Sequence, residues 1–230
     1  MKKHKRHLTK RDEKILAFVT RFRIGTATLL RDHCFEPDIG LKNVDRVLLR
    51  LERRKLLRKS TFDTGRFYYT VTRRGLALKD KDAKTPEPLS EQTLPKLLAT
   101  ACYCLAEGLH RFTKDEFVER YPNLAPPGVC SSNYALRRMD AGYKLELLTV
   151  DRGGAAHRIR SRVRRFVSQR KDIRPFFSLM QAGHFRITVL TATPEQRWKI
   201  LRRVGDSFGP IEVAAVVIPE LADLLMLRKK

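Results

Sequence analysis

The 230-residue sequence has no run of eighteen apolar residues, so nothing in it reads as a membrane-spanning helix. Cysteine is scarce. Cys34, Cys102, Cys104 and Cys130 are scattered, and Cys102-x-Cys104 has neither the spacing nor the second ligand pair of a zinc site. No disulfide framework follows from them, and reduced thiols in a cytoplasmic protein are expected. The opening Met1–Lys14 stretch is basic and lacks the apolar centre of a secretory signal. Gly153-Gly154 has neither dinucleotide-binding nor Walker spacing, so no nucleotide cofactor is expected. His4 and His7 sit in a basic tail, and His110, His157 and His184 are isolated, so no metal is expected either. No Ser-His-Asp arrangement emerges from spacing, and the chain reads as a non-enzyme.

Acidic residues are in short supply too: 25 Asp and Glu face 48 Lys and Arg, a net charge of +23. With 42% hydrophobic residues the chain can still build packed cores, so disorder does not explain the charge. A folded chain that basic repels itself, and the usual compensation is a polyanionic partner. Nucleic acid is favoured over an anionic membrane because the arginines lie inside regularly patterned segments. Residues 1–80 form the first expected domain, the charged, proline-bearing segment 81–88 a linker, and residues 89–230 the second domain.

In the first domain, Thr9 caps a predicted helix with Asp12 at its third position and Ile15, Leu16, Phe18 and Val19 on the apolar face. A short helix starts at Thr26. A longer one, about Lys42 to Lys55, carries Val44, Val47, Leu48 and Leu51 at helical spacing. Two β-rich runs, 56–62 and 66–71, then flank the turn Asp63-Thr64-Gly65 as a hairpin. Three helices followed by a two-stranded ribbon is the order of a winged helix-turn-helix. The third helix is then the recognition helix, since a helix fills the major groove and presents side chains to base edges. Lys42, Asn43, Arg46, Arg50, Arg53 and Arg54 are its expected DNA contacts, with Asn43 suited to adenine and Arg46 or Arg50 to guanine. Lys59 and Arg66 of the wing are expected on the flanking backbone. Phe67, Tyr68 and Tyr69 read as packing residues.

The second domain opens with helical segments, then reads strand–helix–strand–helix–strand: 144–150, 155–169, 184–191, a helix capped by Thr193, and 211–218. Continuous apolar strands alternating with helices argue for a partly parallel sheet, giving an α+β protein overall with an α/β second half. The helix after Thr193 is expected to bury Trp198, Ile200, Leu201 and Val204. Within the arginine-rich run 158–174, Arg158, Arg162 and Arg165 share one side of a helix and form a second expected basic surface. A C-terminal amphipathic stretch, Leu221 to Leu227 ending in Arg228-Lys229-Lys230, and the strand Val213–Ile218 supply apolar material for a homodimer.

Residues 8–79, through Leu8-Thr9-x-Arg11-Asp12, Val47-Leu48-Leu49-Arg50-Leu51, Tyr68-Tyr69 and Thr72-Arg73-Arg74-Gly75, resemble the winged-helix half of the plasmid replication-relaxation family, which includes mobilization accessory proteins. Val150-Asp151-Arg152-Gly153 and Val189-Leu190-Thr191-x-Thr193-x-Glu195-x-Arg197 resemble its second half. The resemblance implies a restriction-endonuclease-like fold there, whose nuclease members hold a metal through clustered acids. This chain departs from that pattern, with Pro127-Gly128 where the family tends to have Pro-Asp, Thr149-Val150-Asp151 where an acid-x-Asp pair would stand, and Arg162 at the lysine position. Glu146, five residues before Asp151, is expected to face away from it. The reading is therefore a sequence-specific double-stranded DNA-binding protein with a non-catalytic second domain, acting in transcription regulation or in plasmid or mobile-element replication or mobilization. The alternatives are a metal-dependent nuclease with a cryptic site, or a module docking on a relaxase or replication protein.

Overall fold

The computed structural model describes residues 8–62, 65–78, 80, 82–140, 142–204 and 208–226. His4, His7, Asp63, Thr64 and the terminal Leu227–Lys230 lie outside the described residues. The protein is a mixed α+β chain of two compact units, residues 1–97 and 98–230, so the division falls beyond segment 81–88, inside a helix. No helix among the described residues is long and apolar enough to cross a membrane.

In the first unit, α1 (Lys10–Phe22), α2 (Ala27–Cys34) and α3 (Leu41–Arg53) precede β1 (Leu57–Thr61), β2 (Phe67–Val71) and the short α4 (Arg73–Leu76). Each start has a local cause. Thr9 and Asp12 form a reciprocal capping box on α1, and the Thr26 hydroxyl accepts from Leu29 N at α2. Ile15, Val19, Leu30, Val44, Leu48 and Leu51 are wholly buried at helical spacing and weld the three helices together. β1 and β2 pair antiparallel, Leu57 opposite Val71 and Thr61 opposite Phe67. Gly25, between α1 and α2, exchanges two backbone hydrogen bonds with Tyr69 and so fastens the helices to the hairpin.

The corner after β2 is fixed by two residues. The Thr72 hydroxyl donates to the carbonyls of Lys55 (2.6 Å) and Leu56 (3.2 Å) and accepts from Gly75 N. A Cβ at Gly75 would lie 2.4 Å from the Leu56 carbonyl oxygen, so only glycine lets α4 seat against the end of α3.

The second unit holds one five-stranded sheet, order β3-β4-β5-β6-β7: β3 (His110–Arg111), β4 (Tyr134–Met139), β5 (Gly142–Val150), β6 (Phe185–Thr191) and β7 (Glu212–Val217). The first two pairings are antiparallel and the last two parallel. Around it lie α5 (Leu94–Ala106), α6 (Lys114–Arg120), α7 (Ala156–Ser168), α8 (Arg174–Gln181), α9 (Pro194–Val204) and α10 (Pro219–Met226). One sheet face, through Leu145, Leu147, Ile187, Val189 and Ala215, packs on Ile159 and Val163 of α7, Phe176 and Met180 of α8, and Ile200 and Val204 of α9. The parallel part of the sheet was legible from the sequence. β3, β4 and α8 were not, being short or polar enough to carry no clear periodicity.

The opposite face carries a buried ionic network. The Glu146 carboxylate, fully buried on β5, accepts from the Tyr103 hydroxyl of α5 and the Thr188 hydroxyl of β6, each at 2.8 Å. Its other oxygen pairs with Arg137 Nε of β4, whose Nη1 reaches Glu107 at 2.9 Å. Burial, then the Glu146 charge, pushes the Tyr103 phenol up to about 12, so it stays a donor throughout the physiological range. Removing one partner of such a pair leaves a desolvated charge uncompensated. Glu146→Ala is therefore expected to lower stability by about 3–5 kcal/mol in denaturant unfolding. A loss of under about 1 kcal/mol would show that water replaces the carboxylate.

Candidate nucleic-acid interface

Helix α3 turns four residues outward in one stripe: Lys42, Arg46, Leu49 and Arg53, at i, i+4, i+7 and i+11, all exposed. Its buried side, Val44, Val47, Leu48 and Leu51, lies diametrically opposite and locks the stripe's orientation. Asn43 flanks the stripe, also exposed, with its side-chain oxygen 3.5 Å from Arg46 Nη1. Lys42, Asn43, Arg46 and Arg53 thus sit together on one outward face, as the sequence suggests. Leu49 was not among the expected contacts. It is 43% exposed in the middle of the cations, and its spacing from Lys42, Arg46 and Arg53 was the signal.

Arg50 requires a correction. Its side chain is 41% exposed, but its guanidinium is engaged within the fold: Nη2 lies 2.5 Å from Asp12 Oδ1, and Asp12 is 1% exposed. The same carboxylate accepts from Thr9 N at the start of α1, so Arg50 ties α3 to the capped end of α1. The spacing of α3 alone could not reveal a partner 38 residues away.

In the hairpin, Lys59 Nζ stands 3.6 Å from the centre of the Phe67 ring, a cation–π contact on the ribbon surface. Phe67 is half exposed, contrary to the packing role expected of it, while Tyr68 and Tyr69 are buried as expected. Arg66 is exposed beside it, and Arg54 is half-buried just past the end of α3.

The second basic surface is also corrected. Arg158 and Arg165 are exposed on α7, but Arg162 leans inward, donating to Thr149 Oγ1 (3.2 Å) and the Val150 carbonyl (3.0 Å). Arg170, in the same basic run, is wholly buried. It donates to the Tyr134 hydroxyl and the Phe166 and Cys130 carbonyls, among the rings of Tyr134, Phe166 and Phe176.

Asp151, the one carboxylate left at the acid-x-Asp position, accepts from Gly153 N and Gly154 N and so caps its own loop. Among the described residues no group of three or more His, Cys, Asp or Glu side chains is gathered for a metal ion. No protein-family model, curated protein or solved structure matches the chain.

Two stability tests follow. Arg50→Ala leaves the buried Asp12 oxygen without its cation and is expected to cost about 1–3 kcal/mol, whereas Arg46→Ala is expected to stay within about 0.5 kcal/mol. Equal effects in urea unfolding would contradict the division of roles. Burial raises the Asp151 carboxyl above its ordinary value, so the folded chain holds that proton more tightly than the unfolded one. The resulting stability is present below the unfolded carboxyl pKa and lost as pH rises through the raised folded value. Asp151→Asn keeps an oxygen acceptor without the charge, so its melting temperature relative to the parent should climb between pH 4 and pH 7. A gap that is flat with pH would count against the shift.

Proposed function

We propose that the chain is a sequence-specific, double-stranded DNA-binding protein whose first unit is a winged helix-turn-helix. In this reading α3 enters the major groove and the β1–β2 ribbon, with Lys59 on Phe67 and Arg66 nearby, meets the flanking backbone. The observation that carries it is the outward stripe of α3, three cations around a leucine, fixed opposite a fully buried apolar face. A phosphate-binding surface needs cations alone. An exposed leucine among them suits a base edge, where an apolar side chain meets a thymine methyl group while Arg46 pairs with guanine. Lys42 and Arg53 at the ends of the stripe then hold phosphates.

The second unit, whose helix-flanked mixed sheet supports the restriction-endonuclease-like reading, is proposed to act without catalysis. Its two central carboxylates are occupied elsewhere, Glu146 by Tyr103, Thr188 and Arg137, and Asp151 by its own loop. We assign it to self-association, through the outer strand β7 and helix α10, because two half-sites give a small reading helix its affinity. The setting proposed is transcription regulation or the maintenance of a plasmid or mobile element.

Selection from a randomised duplex pool, followed by binding of the selected site, tests the reading. Arg46→Ala is expected to weaken the selected site by about 1–3 kcal/mol and to change random duplex little. Leu49→Ala should relax preference at one thymine-bearing position and leave the salt dependence of binding unchanged, since it removes no charge. Enrichment of no sequence, or equal loss on selected and random duplex, would reduce α3 to a phosphate contact.

A further inference from the structure

The chain's single tryptophan is expected from the sequence to be buried, yet Trp198 is 61% exposed. The reason lies in helix geometry: Trp198 and the buried Ile200 are two residues apart, about 200° around α9, and cannot share a face. A large indole left in water is an uncommon use of the most apolar area a side chain offers. Its surroundings are uncommon too. Trp198 lines a concavity of about 550 Å³ together with Lys199, Arg202 and Arg203 of α9 and Ala155, Ala156 and His157 at the start of α7. None of the described residues lining it is acidic. The Arg202 guanidinium lies 5.1 Å from the indole centre, a cation–π contact that leaves the ring 61% exposed.

We propose that this concavity is a second, separate nucleic-acid site, which binds a single strand by stacking one unpaired base on Trp198. Lys199, Arg202 and Arg203 are placed to hold the adjoining phosphates. The chemistry selects the ligand. Phosphate recognition explains three cations but leaves an exposed indole without purpose, and an intact duplex has its base faces already stacked and offers none to it. A lipid surface would meet an apolar protrusion, whereas here the apolar lining beside the indole is two alanines in a hollow. An unpaired nucleotide supplies both a π face and a neighbouring negative charge, the combination that single-strand-binding grooves use. Charge on the two helices points the same way. α7 carries five arginines and no acid, and α9 carries four cations against Glu195. The site does not depend on α3 reading duplex DNA.

Because Trp198 is the only tryptophan, its fluorescence reports this site directly. Titration of the full chain with oligo(dT) is expected to quench it saturably, and a duplex of equal length to quench it far less. With a labelled oligo(dT) read by anisotropy, Trp198→Ala should weaken binding about 5- to 150-fold, the worth of one stacked base. Trp198→Phe, which keeps a ring, should recover most of that loss. Arg202→Glu with Arg203→Glu should abolish the quenching, and Arg46→Ala, on α3, should leave it intact. Equal quenching by duplex, a tryptophan response to anionic vesicles but not to oligo(dT), or Trp198→Ala binding oligo(dT) like the parent would each overturn the proposal. Selection of a duplex site by α3 bears on none of these readings, so the two sites fail separately.

Discussion

A buried charge must be paired or hydrogen-bonded, and this chain, with +23 to distribute, meets that constraint by spending arginines inside. Asp12 in the first unit and Glu146 in the second are buried carboxylates, held by Arg50 and Arg137 respectively. Asp12 joins α1 to α3, and Glu146 joins the β4–β5 hairpin to α5 and β6. Apolar contact alone tolerates sliding, but a carboxylate held by two donors, as Asp12, or three, as Glu146, does not. Arg170 is the complementary case, a buried cation solved with a phenol, two carbonyls and three aromatic faces. These residues set the registers on which the surface features stand.

In the first unit such fixation orients the exposed stripe of α3 proposed as a reading surface. The Asp12–Arg50 pair sets the height of α3 against α1, and the Gly25–Tyr69 exchange ties the hairpin to the helices. Thr72 and Gly75 close the corner where α3 ends and β1 begins. Thr72-Arg73-Arg74-Gly75, met as a short motif, thus has a steric cause: the threonine caps and clamps while the glycine admits a carbonyl at 2.4 Å from where a Cβ would stand. A side chain that must hit a base edge tolerates errors of about half an ångström, and a helix anchored in its last turn and along its buried stripe suits that tolerance.

Much of the fold was legible in the sequence wherever one rule acted alone. The capping box, the 3.6-residue periodicity of α1 and α3, the hairpin and the three parallel strands all come from local signals. Legibility failed where two rules competed. Arg50 has the spacing of a surface cation and the length to reach a buried acid, and only the fold decides between them. Arg162 and Arg170 sit in a run that reads as a solvated face, yet the aliphatic stems of arginine let the heads turn inward to carbonyls and rings. Trp198 failed differently. Composition predicts burial for tryptophan, while its angular position on α9, itself readable from the sequence, places it outside. Position outweighs residue type when the two disagree, and Leu49 on α3 obeys the same rule.

The division between structural and surface arginines also changes what the net charge means. A formal +23 suggests a polyelectrolyte glove, but Arg137 and Arg170 bond protein oxygens through all three side-chain nitrogens, and Arg50 and Arg162 each direct one guanidinium nitrogen to protein oxygen. Their removal would lower stability without removing a phosphate contact. The surface cations are grouped, along α3 and the hairpin in one unit and on α7 and α9 in the other; exposed Leu41, Leu49 and Phe67 stand among the first group and Trp198 among the second. Counterion release scales with the phosphates actually neutralised, so a site built this way gains only part of its affinity from charge. In the proposed reading the remainder comes from what Leu49 and Trp198 touch. An apolar or aromatic centre within a cationic rim distinguishes one nucleic-acid form from another, which charge by itself cannot do.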